Sequence, residues 1–277
     1  MVADQAGPRG VLRFVTVDRV SRPVFVLGAH RSATSAMGRA LRRTGLYAGH
    51  GEGHVLPLLP RLRATIAGYY QEEAKFAAAG QFTMLAETPM ALLEEGLTAI
   101  FLRLARAHFP DGAWMEKTPG AEALYAATTY ARIWPRARFI VMQRRGVDNL
   151  ISARLKFPDR EFADLCAEWT AAITATRAVM PVLASAAMLV DQHDLACEPA
   201  RVTAKVAEFL GLGAAPAARL GEALANEHPQ RSAPEMTRVT ALSETGWSEE
   251  EQRVFRSICG EAMAICGYEE EGKERLF

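Results

Sequence analysis

Residues 23–41 read PVFVLGAHRSATSAMGRAL, and their reading decides the fold. Val24 to Leu27 is a short apolar run, β-branched and aromatic, bounded by Pro23 and Gly28. Such a run reads as a strand buried on both faces of a parallel sheet. Ser32, Thr34 and Ser35 are helix-start residues, and Ala36, Met37, Ala40 and Leu41 then recur at helical spacing, so a helix should follow at once. In a strand, tight turn and helix, the unpaired N–H groups of the helix N-terminus converge on an anion, with hydroxyls alongside.

Laid on the nucleotide phosphate loop G-x-x-x-x-G-K-[ST], Gly28 is the first glycine and Ala33 replaces the second, while Thr34 stands at the lysine position and Ser35 fits the last. The missing lysine matters most, because in nucleotide triphosphatases it reaches the β- and γ-phosphates while the next hydroxyl holds Mg²⁺. Here the cation lies inside the loop, as Arg31 beside His30, and the later strand RFIVMQR (138–144) ends in basic residues. The pattern predicts a phosphate cradle built without a metal and without a γ-phosphate. A Rossmann-like turn, or a capped helix with no ligand, fits so short a motif equally well.

The 277 residues (30.2 kDa) are read as one α/β domain, 1–277, with a helical insertion at about 58–110. The 32 basic and 32 acidic residues cancel, so nothing global argues for nucleic acid or an anionic membrane, and any anion site must be a local concentration of Arg and Lys. Cys166, Cys197, Cys259 and Cys266 form no C-x-x-C pair and read as buried free thiols rather than disulfides or a metal site. The first twenty residues lack a basic stretch followed by an apolar run, and no window offers about 18 uncharged apolar residues. A cytoplasmic protein without a membrane span is expected, and nothing specifies an oligomeric state.

Residues 1–22 read as a loose arm in which Val11 to Val20 could pair as an edge strand. After the first helix, YAGHGEGHVLPLLPRL (47–62) sets His50, Glu52 and His54 among glycines, as either an active-site wall or a solvated loop. Pro60–Gly80 and Pro89–His108 read as helices, the second with an apolar stripe of Leu92, Leu93, Leu97, Ile100, Phe101 and Leu104. They line an acceptor pocket or serve as scaffold. Ala113–Met115 is the second strand, and Lys117 just beyond it faces the crevice where α/β proteins bind ligands. Arg138–Gln143 is the third strand, leading to Arg144, Arg145 and a helix with Asp148, Asn149 and Ser152; Ala187–Val190 is the fourth. Strands and helices alternate, which predicts a three-layer, P-loop-like parallel sheet flanked by helices.

Taken together, these stretches resemble the sulfotransferases that use 3′-phosphoadenosine 5′-phosphosulfate (PAPS). VLGAHRSATSA (26–36) is similar to their 5′-phosphosulfate loop. The resemblance makes Arg31 the basic loop residue, with Ser32, Ala33, Thr34 and Ser35 completing the cradle. It departs at His30, where the family has proline, and at Ala33, where it has glycine. An Arg at a strand end and a Ser eight residues on bind the 3′-phosphate in this family; Arg144 and Ser152 have that spacing, Asp148 lies between them, and Arg145 is the alternative one residue away. MLVDQHDLACEPARVTAKVAEFLGL (188–212) is similar to a third family stretch, with Gln192 where a Tyr often meets adenine. GEGHVLPLLPRL (51–62) resembles tyrosylprotein sulfotransferases and their bacterial relatives, in which a Glu, here Glu52, is the proposed base and a Lys, here Lys117, helps hold the moving sulfuryl group.

The resemblance implies metal-independent, in-line transfer from PAPS to a hydroxyl on a small molecule, glycan or peptide, with release of adenosine 3′,5′-bisphosphate (PAP). Arg31 and Lys117 would neutralise charge and Glu52 would take the proton, with His54, His50 and His30 as rival bases and Glu116 as the next carboxylate. Trp169 could stack on adenine, or be core, and Arg231 with Ser232 could close over the 3′-phosphate, or be surface loop. A Mg²⁺-dependent P-loop nucleotide kinase and a non-catalytic protein that binds adenosine bisphosphate are the other function classes open to this sequence.

Overall fold

Val24–Gly28 forms β1, the central strand of a wholly parallel sheet, and Thr34–Arg43 forms α1 directly after it. The computed structural model describes residues 21–81, 83–85, 88–226 and 239–271. The arm expected at Val11–Val20, and Arg231 with Ser232, lie outside those residues. The chain continues as β2 (Ala48–Gly49), α2 (Leu58–Ala78), α3 (Met90–His108), β3 (Trp114–Lys117), α4 (Ala121–Ile133), β4 (Arg138–Gln143) and α5 (Gly146–Lys156). It then forms α6 (Phe162–Leu183), β5 (Ala187–Asp191), α7 (Gln192–Cys197), α8 (Pro199–Leu210), α9 (Ala214–Asn226) and α10 (Glu249–Ile265).

The five strands lie in the order β2-β3-β1-β4-β5. Alternation along β1 explains the three layers: Phe25 and Leu27 join the core shared with α4 and α6, whereas Val24 and Val26 join the core shared with α1, α8 and α9. The same alternation splits Phe139 and Val141 from Ile140 and Met142 on β4. Each of these side chains is almost fully buried, and each such burial stabilises by about 1.5–3 kcal/mol, which is why so short a strand can hold the centre of the sheet. In-register pairing puts Gly28 opposite Met142 and Val26 opposite Lys117, so the ends of β1, β3 and β4 open side by side at one edge.

Three features depart from the sequence reading. β2 is an extra edge strand of two residues, too short to show a pattern; it exists because Gly49 comes so close to β3 that a Cβ there would stand 2.5 Å from the Met115 carbonyl. The apolar stripe of α3 is not buried as one face: Phe101 and Leu102 are buried, but Leu92, Ile100 and Leu104 stay exposed. α9, which follows α8 after three residues, is a helix absent from the sequence reading; it packs on α1 and α8 through Leu220, Ala223 and Leu224.

Candidate active site

The turn after β1 is built by backbone geometry that its residues resist. Gly28 has φ 133°, and a Cβ there would stand 2.0 Å from the Met142 carbonyl oxygen, so only glycine lets β1 and β4 end together. Arg31 and Ala33 both adopt positive φ, at 64° and 66°, each at a cost of about 1–2 kcal/mol for a residue with a Cβ. Ala33 therefore takes the left-handed conformation that glycine adopts without penalty. It is also the N-cap of α1 and no side chain caps that helix, so the first N–H groups of α1 remain available to an anion.

What holds the strained turn is α5 together with Arg144, the residue that follows β4. Asn149 Nδ2 donates to the His30 carbonyl (2.7 Å) and to Ser32 Oγ (3.1 Å), Arg144 Nη1 donates to the Arg31 carbonyl (3.1 Å), and Arg31 Nε donates to Ser152 Oγ (2.9 Å). Two guanidinium groups and a hydroxyl from three parts of the chain thus share one corner. The Arg31 side chain points to Ser152, the side that the sequence reading gives to the 3′-phosphate, rather than along the turn. Burial lowers the pKa of Arg144, an effect that Asp148 and Asp191 oppose through space and the neighbouring Arg31 charge reinforces; its Nε is buried with no hydrogen-bond partner among the described residues. Burial likewise lowers the pKa of Arg31. A cationic, poorly solvated corner of this kind favours an anion.

Arg145, the alternative to Arg144, is committed elsewhere. It donates to the carbonyls of Thr240 (2.6 Å), Glu269 (2.8 Å) and Glu270 (2.6 Å) and pairs with Asp148 (3.0 Å), tying the start of α5 to the end of the chain. Trp169 is core, 2% exposed, and its Nε1–H donates to the Arg144 carbonyl (3.1 Å), so it positions Arg144 and offers no face to adenine. Gln192 is buried in the first turn of α7, after Asp191, whose carboxylate accepts from the His193 N–H (2.8 Å).

On the other side of the turn, Lys117 leaves β3 with its side chain almost fully buried and donates to Ser35 Oγ (3.1 Å) and to the carboxylate of Glu52. His54 Nε2 lies 3.0 Å from the second Glu52 oxygen. Partial burial raises the pKa of Glu52, but its hydrogen bond to Lys117, the Lys117 charge and the nearby His54 and His30 outweigh that, leaving it below the usual carboxylate value. Ser35, Lys117, Glu52 and His54 therefore form one connected chain across the edge of the sheet. His50 stands apart, its ring edge-on to His108 at 5.6 Å.

Glu116 is the polar residue whose environment the sequence least revealed. Thr118 Oγ1 donates to its Oε1 (2.5 Å) and accepts from the His54 N–H (3.1 Å), while Gly53 lies so close that a Cβ there would stand 2.6 Å from the same oxygen. Its other oxygen, Oε2, is buried without a hydrogen-bond partner among the described residues. Burial, resisted by Thr118, the Val55 N–H and Lys117, raises its pKa to about 7. An acid that is neutral in the folded protein but ionised when unfolded stabilises at low pH and loses that contribution as pH rises from about 4.3 to about 7, roughly 3–4 kcal/mol in all. Glu116→Gln removes this dependence. The variant should gain up to about 3 kcal/mol on the parent between pH 5 and pH 8 in denaturant unfolding; parallel curves would contradict the burial argument.

Comparison with known proteins gives a family and a fold. A family profile described as "Sulfotransferase family" matches residues 23–216. No curated protein matches the chain in sequence. Among solved structures, the sulfotransferase STF9 from Mycobacterium avium superimposes with a TM-score of 0.55 at 16% identity, over 92% of this chain and 79% of that one. The sulfotransferase domain of the Synechococcus PCC 7002 olefin synthase gives 0.54 at 17%, over 91% and 97%. Mouse sulfotransferase SULT7A1, solved in complex with PAP, gives 0.53 at 12%, over 90% and 87%. At such identities the likeness is one of fold.

Proposed function

The chain belongs to the sulfotransferase family, and from that premise we propose that it takes its sulfuryl group from PAPS and passes it to a hydroxyl acceptor. The observation that carries the donor is the corner where Arg144 meets the turn that holds Arg31, within reach of Ser152 and beside an uncapped helix N-terminus. A nucleotide with phosphates at both ends suits two anion-holding groups set side by side; a single terminal triphosphate needs the lysine that Thr34 displaces.

In this reading the N–H groups of α1, with Ser32, Thr34 and Ser35 of the turn, hold the 5′-phosphosulfate, while Arg144 and Ser152 hold the 3′-phosphate. The acceptor oxygen attacks sulfur in line. A new S–O bond forms as the bond between sulfur and the 5′-phosphate oxygen breaks, its electron pair stays on the departing PAP, and the acceptor proton passes to Glu52. Lys117, which donates to Ser35, stabilises the negative charge that grows on the bridging oxygen, while Arg31, turned to Ser152, adds its charge on the 3′-phosphate side. Glu52 suits the base because its carboxylate is ionised at neutral pH and is held between Lys117 and His54.

The test is calorimetric titration with PAP and with ATP·Mg²⁺, followed by transfer of labelled sulfate from PAPS. PAP should bind more tightly than ATP·Mg²⁺, and label should move to an acceptor alcohol. Binding of ATP·Mg²⁺ without PAP would overturn the donor assignment.

A further inference from the structure

A cavity of about 280 Å³ lies under the loop that carries Glu52. Its walls are aromatic: Phe25, Phe101, Phe109, Trp114, Tyr130 and Trp134. They form a fixed cage, with Phe109 stacked on Trp114 (5.1 Å, 9°), Trp114 edge-on to Trp134 (5.3 Å, 82°) and Tyr130 stacked on Trp134 (5.6 Å, 11°). The polar groups along it are Glu52, Glu116, His50 and His108. We propose that this cavity holds the acceptor, and that the acceptor is a small uncharged alcohol with an apolar, ring-shaped body. The proposal rests on the sulfuryl-transfer reading above and names the substrate class for the same site.

Four observations carry it. Glu52 belongs both to the cavity lining and to the chain of contacts that runs through Lys117 to Ser35, so a hydroxyl at that end of the cavity meets the base and faces the turn that holds the donor. Glu116 lines the same space and sets a second carboxyl group along the cavity that Glu52 closes. The volume of about 280 Å³ is at the small end for ligand pockets and suits one or two rings rather than a folded-in peptide or glycan chain. Finally, Leu104 lines the cavity and is also 37% exposed, with exposed Ile100 one turn earlier on α3, so the apolar surface continues outwards from the lining.

The same features set the specificity. Stacked and edge-on rings favour another ring over a flexible chain. A sugar ring would leave most of its hydroxyls facing aromatic walls without partners. An acidic acceptor would bring its charge beside Glu52, which selects against anionic peptides. On reaction, the acceptor oxygen gains the sulfuryl group and gives its proton to Glu52, and the broken S–O bond leaves its electrons on PAP.

The experiment uses the PAP-loaded full chain titrated with 2-naphthol, read by quenching of tryptophan fluorescence from Trp114 and Trp134. Labelled-sulfate transfer from PAPS to 2-naphthol, N-acetylglucosamine and an acidic tyrosine peptide is measured in parallel. Naphthol should bind, and its kcat/KM should exceed those of the other two by roughly tenfold or more. Ala105→Phe, which fills the cavity from α3, should raise the naphthol KM by about tenfold and leave the PAP Kd within about twofold, and Ala105→Leu should do the same to a smaller degree. Preference for the sugar or the peptide, absence of naphthol binding, or an unchanged KM in both variants would overturn the acceptor assignment while PAP binding stands. Failure of PAP to bind the parent protein would overturn the donor reading and this one with it.

Discussion

Arg144→Met is expected to weaken PAP binding by about 2–5 kcal/mol, roughly 30- to 4,000-fold, while the ligand-free protein changes little in thermal stability, because loss of the hydrogen bond to the Arg31 carbonyl offsets the relief of a buried cation. The two effects have one origin. Arg144 is held in a largely buried position beside Arg31, its Nε has no hydrogen-bond partner among the described residues, and burial and the neighbouring charge both disfavour its cation. Without ligand that cation is a cost; with a phosphate beside it, the same burial strengthens the attraction. A merely structural arginine would behave in the opposite way, destabilising the protein on removal and leaving affinity unchanged. Arg145→Met serves as that control, because Arg145 holds three carbonyls and Asp148. It should lower stability. Calorimetry with PAP and a thermal melt of each ligand-free variant separate the cases, and a stability loss in Arg144→Met with unchanged PAP affinity would refute the assignment.

Glu52→Gln should lower kcat by about 10²–10⁴ and leave the PAP Kd within a few-fold, because only the proton transfer is removed. The carboxylate makes contact with Lys117 and lies 3.0 Å from His54 Nε2, so the variant keeps a side chain of the same shape between the same neighbours. The pH profile discriminates between the bases. Lys117 and His54 outweigh the burial of Glu52 and keep its pKa below the ordinary carboxylate value, so the acidic limb of kcat/KM should lie below that value. A histidine base would put the limb near about 6.5. Turnover of the Gln variant close to that of the parent would take the role from Glu52, and an acidic limb near neutrality would pass it to a histidine or to Glu116, whose pKa burial raises to about 7.

Much of this site could be read in the chain before it folded. The turn from Gly28 to Ser35 and the strand ends at Lys117 and Arg144 are local features, each carried by a short run whose period and boundary residues suffice to place it. Choosing between Arg144 and Arg145 was not local. Adjacent residues at a strand end point to different sides, and here the decision falls to carbonyls at Thr240, Glu269 and Glu270, about a hundred residues away in the sequence. The direction of the Arg31 side chain was equally hidden, since Ser152 comes to it from α5. Trp169 had two readings in the sequence, and the packing of α6 against the sheet selected the core. Of the aromatic cavity the sequence offers only the helix Pro89–His108, read as pocket wall or scaffold; the other walls come from four further segments between Phe25 and Trp134, whose meeting no local pattern records. Glu116 reads in the sequence as the next carboxylate after Glu52; alternation along β3 sends it and Lys117 to opposite faces, and Lys117 turns to Glu52.

A structure of the chain with PAP bound is the most direct measurement of whether one nucleotide spans both anion-holding groups. The account predicts the 3′-phosphate within hydrogen-bond distance of Arg144 and Ser152, and the 5′-phosphate on the N–H groups at the start of α1. A nucleotide lodged elsewhere, or one whose 3′-phosphate leaves Arg144 untouched, would contradict it.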